Sequence, residues 1–194
     1  MEDVKSKECC ERTTAKITVA QFLENYVDVT QFLEYCKACP NYDKIWSCPP
    51  YSFDAMDFWH KYETLELIGV KVRPDESLRA GTYTREQLGE IYETLVFEEK
   101  RKLSVELLAR EQEIPGSLFL SAGSCDICPE GCTRTGRQPC RHLDLMRYSV
   151  ESLGGNVQKA VRNLLHIEIM WPQNGKLPAY FMLVAGLLLP GKSS

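Results

Sequence analysis

The sequence predicts a single α+β domain, and three of its features lead to that fold class. Residues 65–72 alternate between apolar and polar types as a strand does, and residues 84–113 carry an apolar stripe at helical spacing. Residues 166–171 and 179–184 are apolar segments on either side of an Asn-Gly pair, which is typical of a β-hairpin. A ferredoxin-like sandwich is one topology that fits this order of elements.

The N-terminal part is predicted to be a mobile tail followed by short elements. Residues 1–15 are polar and aperiodic, so the domain is expected to span residues 16–190. Residues 17–29 combine the signals of a strand and a short helix. A second helix is predicted to be capped by Thr30 and to end before Pro40, because proline cannot continue it. A further short helix is expected over residues 54–62.

The C-terminal part contains the longest predicted helix. Thr84-Arg-Glu-Gln87 has the pattern of a capping box, and Pro115-Gly116 ends the helix. The consecutive charges of residues 98–102 are predicted to form its solvated face. A buried strand over residues 117–123 then leads into a cysteine-rich loop, and short helices are expected over 142–153 and 156–165.

Charge and hydropathy exclude some function classes and predict a location. The formal net charge is −4 and the pI is about 5.5, which disfavours a general nucleic-acid binder, because phosphate contacts require a basic surface. The N-terminus has no apolar signal segment. The longest apolar run, residues 179–189, is too short to cross a bilayer, so no membrane association is expected. Seven of the nine cysteines fall into two clusters. Together with the missing signal segment, this predicts a cytoplasmic protein whose thiols are ligands or redox groups.

Four of these cysteines fall within the loop from Gly123 to Arg141, which we call the second cysteine loop. They are Cys125, Cys128, Cys132 and Cys140. The loop is rich in Gly and Pro and poor in side chains that could fill a core, so burial offers little to order its backbone. Thiolates that converge on a metal would do so, because the free energy of metal binding becomes free energy of folding.

The spacing of these four cysteines favours an iron–sulfur cluster over zinc. Three closely spaced cysteines followed by a more distant fourth are typical of [4Fe–4S] ligation. Structural zinc usually shows two Cys-x-x-Cys pairs, and Cys132 and Cys140 do not form one. Zinc, and thiols without a metal, remain alternatives. His142, two residues beyond Cys140, is a reserve ligand.

Three arginines in or beside this loop are candidate cofactor-binding residues. Four thiolates on a cluster leave net negative charge, and Arg134, Arg137 and Arg141 are placed to offset it. The alternative is that these arginines are solvated residues of a polar loop.

A second set of three cysteines lies in what we call the first cysteine loop, residues 36–51. Cys36, Cys39 and Cys48 need a fourth ligand, which could be Cys9, Cys10, a side chain from the second cysteine loop or an exogenous molecule. Three cysteines around an iron with an open position would make a catalytic or substrate-binding site. Alternatively, both loops converge on one centre.

The two motifs together resemble a prokaryotic family of predicted metal-binding proteins, domain of unknown function 2284. Cys36-x2-Cys39-Pro-Asn-Tyr followed by Trp46-Ser-Cys48-Pro-Pro-Tyr is similar to the first motif of the family. Gly123-Ser-Cys125-x2-Cys128, continued through Pro139-Cys140-Arg141 and residues 149–154, is similar to the second. The resemblance covers about residues 20–190. It implies metal binding through the seven cysteines and implies no established reaction.

The sequence therefore predicts a metal-binding protein with one or two [4Fe–4S] clusters. Clusters fully ligated by cysteine favour electron transfer or redox sensing together with a redox partner protein, because they have no open position for a substrate. Two alternatives remain open. One is an interaction module held by structural zinc without catalysis, and the other is an enzyme that uses an open iron in the three-cysteine loop.

Overall fold

The computed structural model of the chain describes residues 10–191. Strands and helices alternate along these residues in the order β1 (Cys10–Thr18), α1 (Val19–Tyr26), α2 (Val29–Ala38), α3 (Ala55–Trp59), β2 (Thr64–Val72), α4 (Glu76–Ala80), α5 (Arg85–Glu113), β3 (Leu118–Leu120), α6 (Val157–Ala160) and β4 (Phe181–Leu189). Short 3₁₀ turns cover Thr133–Gly136 and Glu151–Leu153, and a π-helical turn covers Val161–Leu165. The α+β class is confirmed.

The four strands form one antiparallel sheet in the order β1-β2-β4-β3. This order corrects the ferredoxin-like topology, in which another strand lies between the two strands of each strand–helix–strand unit. Here β1 and β2 are joined through α1, α2 and α3, yet they pair directly, from Cys10 opposite Val72 to Thr18 opposite Thr64.

The sheet is covered on both faces. Leu65, Leu67 and Val184 pack against α1, α3 and α6 on one face, and Ile68 and Leu183 pack against α5 on the other. Because successive residues of a strand point to opposite faces, a sheet covered on both sides needs apolar residues at nearly every position. The sequences of β2 and β4 meet this requirement.

Several predicted elements are confirmed, with shifted ends in places. The capping box of α5 is present: Thr84 Oγ1 accepts from Gln87 N–H at 3.3 Å and Gln87 Oε1 accepts from Thr84 N–H at 2.9 Å. The helix predicted to be capped by Thr30 instead begins at Val29. Its cap is Asp28, whose Oδ1 accepts from Gln31 N–H at 2.9 Å.

Three other local predictions are corrected. Residues 10–15, predicted to be part of a tail, belong to β1, and residues 1–9 lie outside the described part of the chain. The helix predicted over 142–153 is wrong: residues 142–145 form turns, 146–148 have no regular structure, and only Glu151–Leu153 form a 3₁₀ turn. Arg147 pairs with Glu111 of α5 and Ser149 bridges to Ser121, which holds this segment in place. Residues 166–171 are not a strand.

The predicted turn at Asn-Gly is nevertheless present. Asn174 and Gly175 both have positive φ, at 51° and 74°, as a two-residue hairpin turn requires. The turn is flanked by the single bridge between Gln173 and Lys176 instead of by two strands. Within residues 10–191, none of the helices has the length and apolar character needed to cross a membrane.

Candidate metal centre

The two cysteine loops lie against each other although 71 residues, 52–122, separate them in sequence. The first follows α2, whereas the second follows β3, where Ser121 N–H donates to Tyr148 O at 2.8 Å and the chain leaves the sheet. Cys125 N–H donates to Ser47 Oγ at 2.9 Å, and Asn41 Nδ2 donates to Ser124 Oγ at 3.2 Å. These hydrogen bonds fix the entrance of the second loop against the first.

A buried guanidinium joins the two loops. The side chain of Arg134 is only 8% exposed and donates to three backbone carbonyls of the first loop, those of Ile45 at 3.0 Å, Cys48 at 2.5 Å and Pro50 at 2.5 Å. It also pairs with Asp43 at 3.1 Å. A buried charge with this many partners is satisfied only when both loops are in place. We call these contacts the Arg134 network.

Trp46 adds three further contacts between the loops. The guanidinium of Arg134 lies 5.1 Å from the centre of the Trp46 ring, and Nε1 of the ring donates to Gln138 O at 3.1 Å. The backbone N–H of Trp46 donates to the Sγ of Cys132 at 3.4 Å. The first loop therefore supplies a hydrogen bond directly to a sulfur of the second.

All four cysteines of the second loop line one small cavity. Its volume is about 170 Å³, and its wall includes Ile45 and Trp46 from the first loop and Met146 and His142 from the segment that follows. The sulfur-bearing residues of this wall are Cys125, Cys128, Cys132 and Cys140. The wall thus combines four soft sulfur donors with apolar side chains, and this donor chemistry fits an iron–sulfur cluster or zinc.

The cavity does not amount to a formed coordination sphere. Among residues 10–191, no three or more His, Cys, Asp or Glu side chains are arranged so that they could hold a metal ion. The structure brings the four cysteines to one cavity but not to one coordination point. Their role as ligands stays a prediction, as does that of the three cysteines in the first loop.

The first cysteine loop opens onto a different cavity. Cys36 and Cys39 lie where α2 ends, and Cys39 N–H donates to Cys36 O at 3.0 Å. Cys36 lines a cavity of about 230 Å³ together with Pro49, Tyr51 and Glu151. Among the described residues that line this cavity, none is a cysteine of the second loop. This arrangement favours separate sites over a single shared centre.

Burial dominates the electrostatics of the thiols. It raises the pKa of Cys48 to about 11 and also raises the pKa values of Cys36 and Cys125. The neighbouring thiols Cys39 and Cys36 raise the pKa of Cys48 further, whereas the charge of Arg134 lowers it. Dithiol enzymes instead need thiols with lowered pKa values, so the environment of these cysteines disfavours a metal-free thiol-redox protein.

The three candidate arginines have different surroundings. Arg134 belongs to the network described above, and its charge lowers the pKa of the Cys48 thiol against the effect of burial. Arg141 donates to Gly131 O at 3.4 Å and lies 3.9 Å from Glu130. Arg137 is exposed with φ of 54° and ends the 3₁₀ turn. Their predicted role in offsetting the charge of a cluster stays a prediction.

Lys100 is a residue that the sequence interpretation missed. It was assigned to the solvated face of α5, but its side chain is only 13% exposed, and Nζ contacts Ser124 O at 2.6 Å and Asp126 Oδ2 at 2.7 Å. The helical spacing already indicated that Lys100 is buried, because it lies four residues after buried Val96 and three before buried Leu103. Lys100 attaches the second cysteine loop to α5.

The candidates for a fourth ligand of the first loop are placed as follows. Cys10 lies in β1 opposite Val72 and packs against the core on the α5 side of the sheet. Cys9 lies outside the described residues. His142, the predicted reserve ligand, lines the cavity of the second loop.

Comparison with known proteins agrees with a metal-binding assignment. A family model described as "Predicted metal-binding protein (DUF2284)" matches residues 23–189, a span that contains both cysteine loops. Searches of curated proteins and of solved structures gave no match. With most of its length matched, the chain belongs to the DUF2284 family of predicted metal-binding proteins.

Proposed function

We propose that the second cysteine loop holds a [4Fe–4S] cluster that serves one-electron transfer or redox sensing. The observation that carries this proposal is the cavity of about 170 Å³ whose wall contains Cys125, Cys128, Cys132 and Cys140. Four cysteines are the complete ligand set of such a cluster. When bound, the cluster supplies a reversible one-electron couple.

The size of the cavity favours a cluster over a single zinc ion. Four sulfurs around zinc lie about 2.3 Å from the metal and close on it tightly. A cavity of about 170 Å³ between the cysteines and the apolar wall leaves room for a larger inorganic group. The x2, x3 and x7 spacing of the cysteines is also nearer to cluster ligation than to paired zinc knuckles.

The surroundings of the cavity suit a redox centre. Hydrogen bonds to the sulfurs, nearby charge and exclusion of water set the potential of a cluster. Here the Trp46 N–H donates to the Cys132 sulfur, and Ile45 and Met146 shield the cavity with apolar surface. The ammonium of Lys100 lowers the pKa of Cys125 against the effect of burial, so it also favours the thiolate.

Because a cluster with four cysteine ligands has no open position for a substrate, we propose electron transfer as its function. With four cysteines as ligands, the chain's own residues position and shield the cluster but do not present a substrate to it. The proposal therefore includes a redox partner protein and a reducing, cytoplasmic setting that preserves the thiols.

The first cysteine loop supports a second candidate, an enzyme site with an open metal position. Cys36, Cys39 and Cys48 belong to one loop, and Cys36 lines a cavity of about 230 Å³ together with Glu151. In this alternative the three thiols would hold a second cluster, whose open iron would supply a position for a substrate. A zinc-bound interaction module remains the alternative that lacks chemistry of its own.

The test is the iron and acid-labile sulfide content of anaerobically purified protein, combined with a redox titration of its visible spectrum. We expect iron and sulfide in equal amounts and a reversible one-electron transition. Cys128→Ala should abolish the part of the signal that belongs to the second loop, whereas Cys10→Ser, in β1 and outside both loops, should keep it. Stoichiometric zinc without sulfide would contradict the proposal.

A further inference from the structure

A large cavity of the described structure lies outside both cysteine-lined cavities. It is a groove of about 780 Å³, and part of its surface is formed by residues 181–184 of β4. One wall comes from α5, through Leu88, Gly89 and Tyr92, and another from α2 and the segment 169–172. Cavities of about 300–1,000 Å³ are the usual size for small-molecule sites. We call it the β4 groove.

The edge of the sheet is open in this groove. β3 pairs only with residues 186–188 of β4, so residues 181–184 have β2 on one side and no strand on the other within the described chain. In an antiparallel pair the backbone polar groups point alternately toward and away from the partner strand. Part of the N–H and C=O groups of residues 181–184 therefore face outward, where a ligand can bind them.

Aromatic side chains line the groove and are unusually exposed. Tyr35 is 61% exposed and Trp171 is 66% exposed, and Phe32 lies beside Tyr35 in an edge-to-face contact at 5.5 Å. Tyr92 of α5 packs edge-to-face on Phe181 at 5.2 Å. Exposed apolar groups that gather around one cavity indicate a binding surface.

Glu151 also lines the groove, and its carboxyl group lacks a complete set of partners. The Oε2 atom of Glu151 is buried and has no hydrogen-bond partner in the described structure. A buried acceptor left unpaired costs free energy, which a ligand that donates a hydrogen bond would recover. None of the described residues that line the groove is Lys, Arg or His, so its charge complements a cation and not an anion.

Gly89 keeps the groove open. It lies inside α5, where glycine is less favourable than alanine, and a Cβ built on it would meet no other atom within 4 Å. Neither its backbone conformation nor steric crowding requires a glycine. What the missing side chain does provide is space along the wall of the groove.

We propose that the β4 groove binds an organic cation with an aromatic or apolar body. The cation pairs with Glu151 and the surrounding aromatic faces, as ammonium groups do in aromatic cages. The body of the ligand lies against Trp171 and Tyr92, and its N–H groups donate to the open edge of β4. Phosphate-bearing nucleotides do not fit, because the groove offers their charge no partner.

The groove adjoins the first cysteine loop. Glu151 lines both the β4 groove and the cavity of about 230 Å³ that contains Cys36. A bound cation would therefore lie beside the three-cysteine site. The proposed binding does not depend on a cluster, because none of the seven candidate metal-ligand cysteines lines the groove.

Calorimetric titration with two probes of opposite charge tests the inference on the full-length protein. Tryptamine carries an indole body and an ammonium group, whereas indole-3-acetate carries the same body and a carboxylate. We expect tryptamine to bind and indole-3-acetate to bind at least about tenfold more weakly. Equal binding of the two probes, or no binding of tryptamine, would overturn the proposal.

Two variants locate the binding in the groove. Glu151→Gln should weaken tryptamine binding by roughly tenfold or more, because the charge of the cation loses its partner. Its matched control is Glu93→Gln, which makes the same charge change at an exposed position of α5 outside the groove and should leave binding unchanged. If Glu93→Gln weakens binding as much as Glu151→Gln does, the attraction is one of overall charge and the proposal is wrong.

Gly89→Phe fills the groove and should abolish tryptamine binding while the melting temperature shows that the protein still folds. Gly89→Ala, which leaves most of the space, should bind within about twofold of wild type. If Gly89→Phe does not fold, the comparison of Glu151→Gln with Glu93→Gln still tests whether the cation binds in the β4 groove. A neutral strand-forming peptide that binds where tryptamine does not would assign the open edge of β4 to peptides and contradict the inference.

Discussion

The two cysteine loops offer the same type of potential ligand, the cysteine thiol, but in different surroundings. In the second loop, four cysteines line a small cavity closed by Ile45, Trp46 and Met146. In the first loop, Cys39 is exposed and Cys36 opens onto a larger cavity that it shares with Glu151, next to the β4 groove. These surroundings agree with our proposals of a redox centre in the second loop and of an accessible site in the first.

The difference teaches that the number of cysteines alone does not define the function of such a loop. The two cavities differ in the residues that line them beside the cysteines. In the second loop these are apolar side chains, and a backbone N–H donates to one of the sulfurs. In the first loop they are a glutamate and aromatic residues. The Arg134 network joins the two loops, so the comparison can be tested by changes that affect both loops and by changes that affect one.

The largest effect is expected from Arg134→Leu, because it removes the partner of three carbonyls and of Asp43. Leaving buried carbonyls without a donor should lower the free energy of unfolding by about 3 kcal/mol. Metal content of both loops should fall with it. Denaturant unfolding and elemental analysis measure the two effects.

Arg137→Leu is the matched control for this prediction. Arg137 lies three residues further in the same loop and is exposed, so its replacement should change the free energy of unfolding by no more than about 0.5 kcal/mol. If the two variants lose equal stability, the Arg134 network does not hold the loops together.

A smaller effect, confined to the second loop, is expected from Lys100→Gln. The change removes the ion pair with Asp126 and weakens the attachment to Ser124 O, and should cost about 1 kcal/mol. Loss of a positive charge beside Cys125 should also make the potential of a cluster in this loop more negative.

The control is Lys102→Gln on the same helix. Among the described residues, Lys102 forms ion pairs only with Glu98 and Glu99 of its own helix, so we expect no change in potential and a change of at most about 0.5 kcal/mol in stability. A shift of potential of the same size in both variants would show that the effect of Lys100 is not local.

The first loop should respond instead to Glu151→Gln, through pH. Burial raises the pKa of Glu151 above the ordinary 4.5, so the folded protein resists ionisation of this group more than the unfolded chain does. The stability that the neutral carboxyl provides is fully present below about pH 4.5. It is lost as the pH rises through the raised pKa that Glu151 has in the folded protein.

Glu151→Gln removes this dependence, so its stability relative to wild type should increase as the pH rises from about 4 to 7. Urea unfolding at several pH values measures the difference. A difference that does not vary with pH would contradict the account of Glu151 as a buried acid.

The smallest effect is expected from Gly89→Ala in the wall of the β4 groove. An alanine meets no neighbouring atom and is more favourable than glycine inside a helix, so unfolding should cost about 0.5–1 kcal/mol more. Metal content should not change. A loss of stability would mean that the glycine has a structural role in α5.

Much of the local structure could be predicted from sequence because its signals are local. The capping box at Thr84, the turn at Asn174-Gly175 and the mostly apolar sequence of β2 each involve neighbouring residues. The strand order could not be predicted in this way, since it depends on which strands meet after long connections. The helix predicted over 142–153 was wrong because the partners that hold residues 147 and 148, Glu111 and Ser121, are distant in sequence.

The site shows the same division. The grouping of the cysteines within each loop is visible in their spacing. That the loops join through Arg134, and that Glu151 lies between Cys36 and the β4 groove, follows only from tertiary contacts. Lys100 is an intermediate case, because its helical position beside Val96 and Leu103 indicated burial although its charge suggested exposure.

The most direct test of the account is the iron and acid-labile sulfide content per chain of Cys140→Ala and Cys36→Ala, each purified anaerobically beside wild type. The account predicts that Cys36→Ala keeps about four iron and four sulfide in the second loop, and that Cys140→Ala loses that amount. Equal loss of all metal in both variants would show one shared centre. Zinc without sulfide in wild type would contradict the assignment of a cluster.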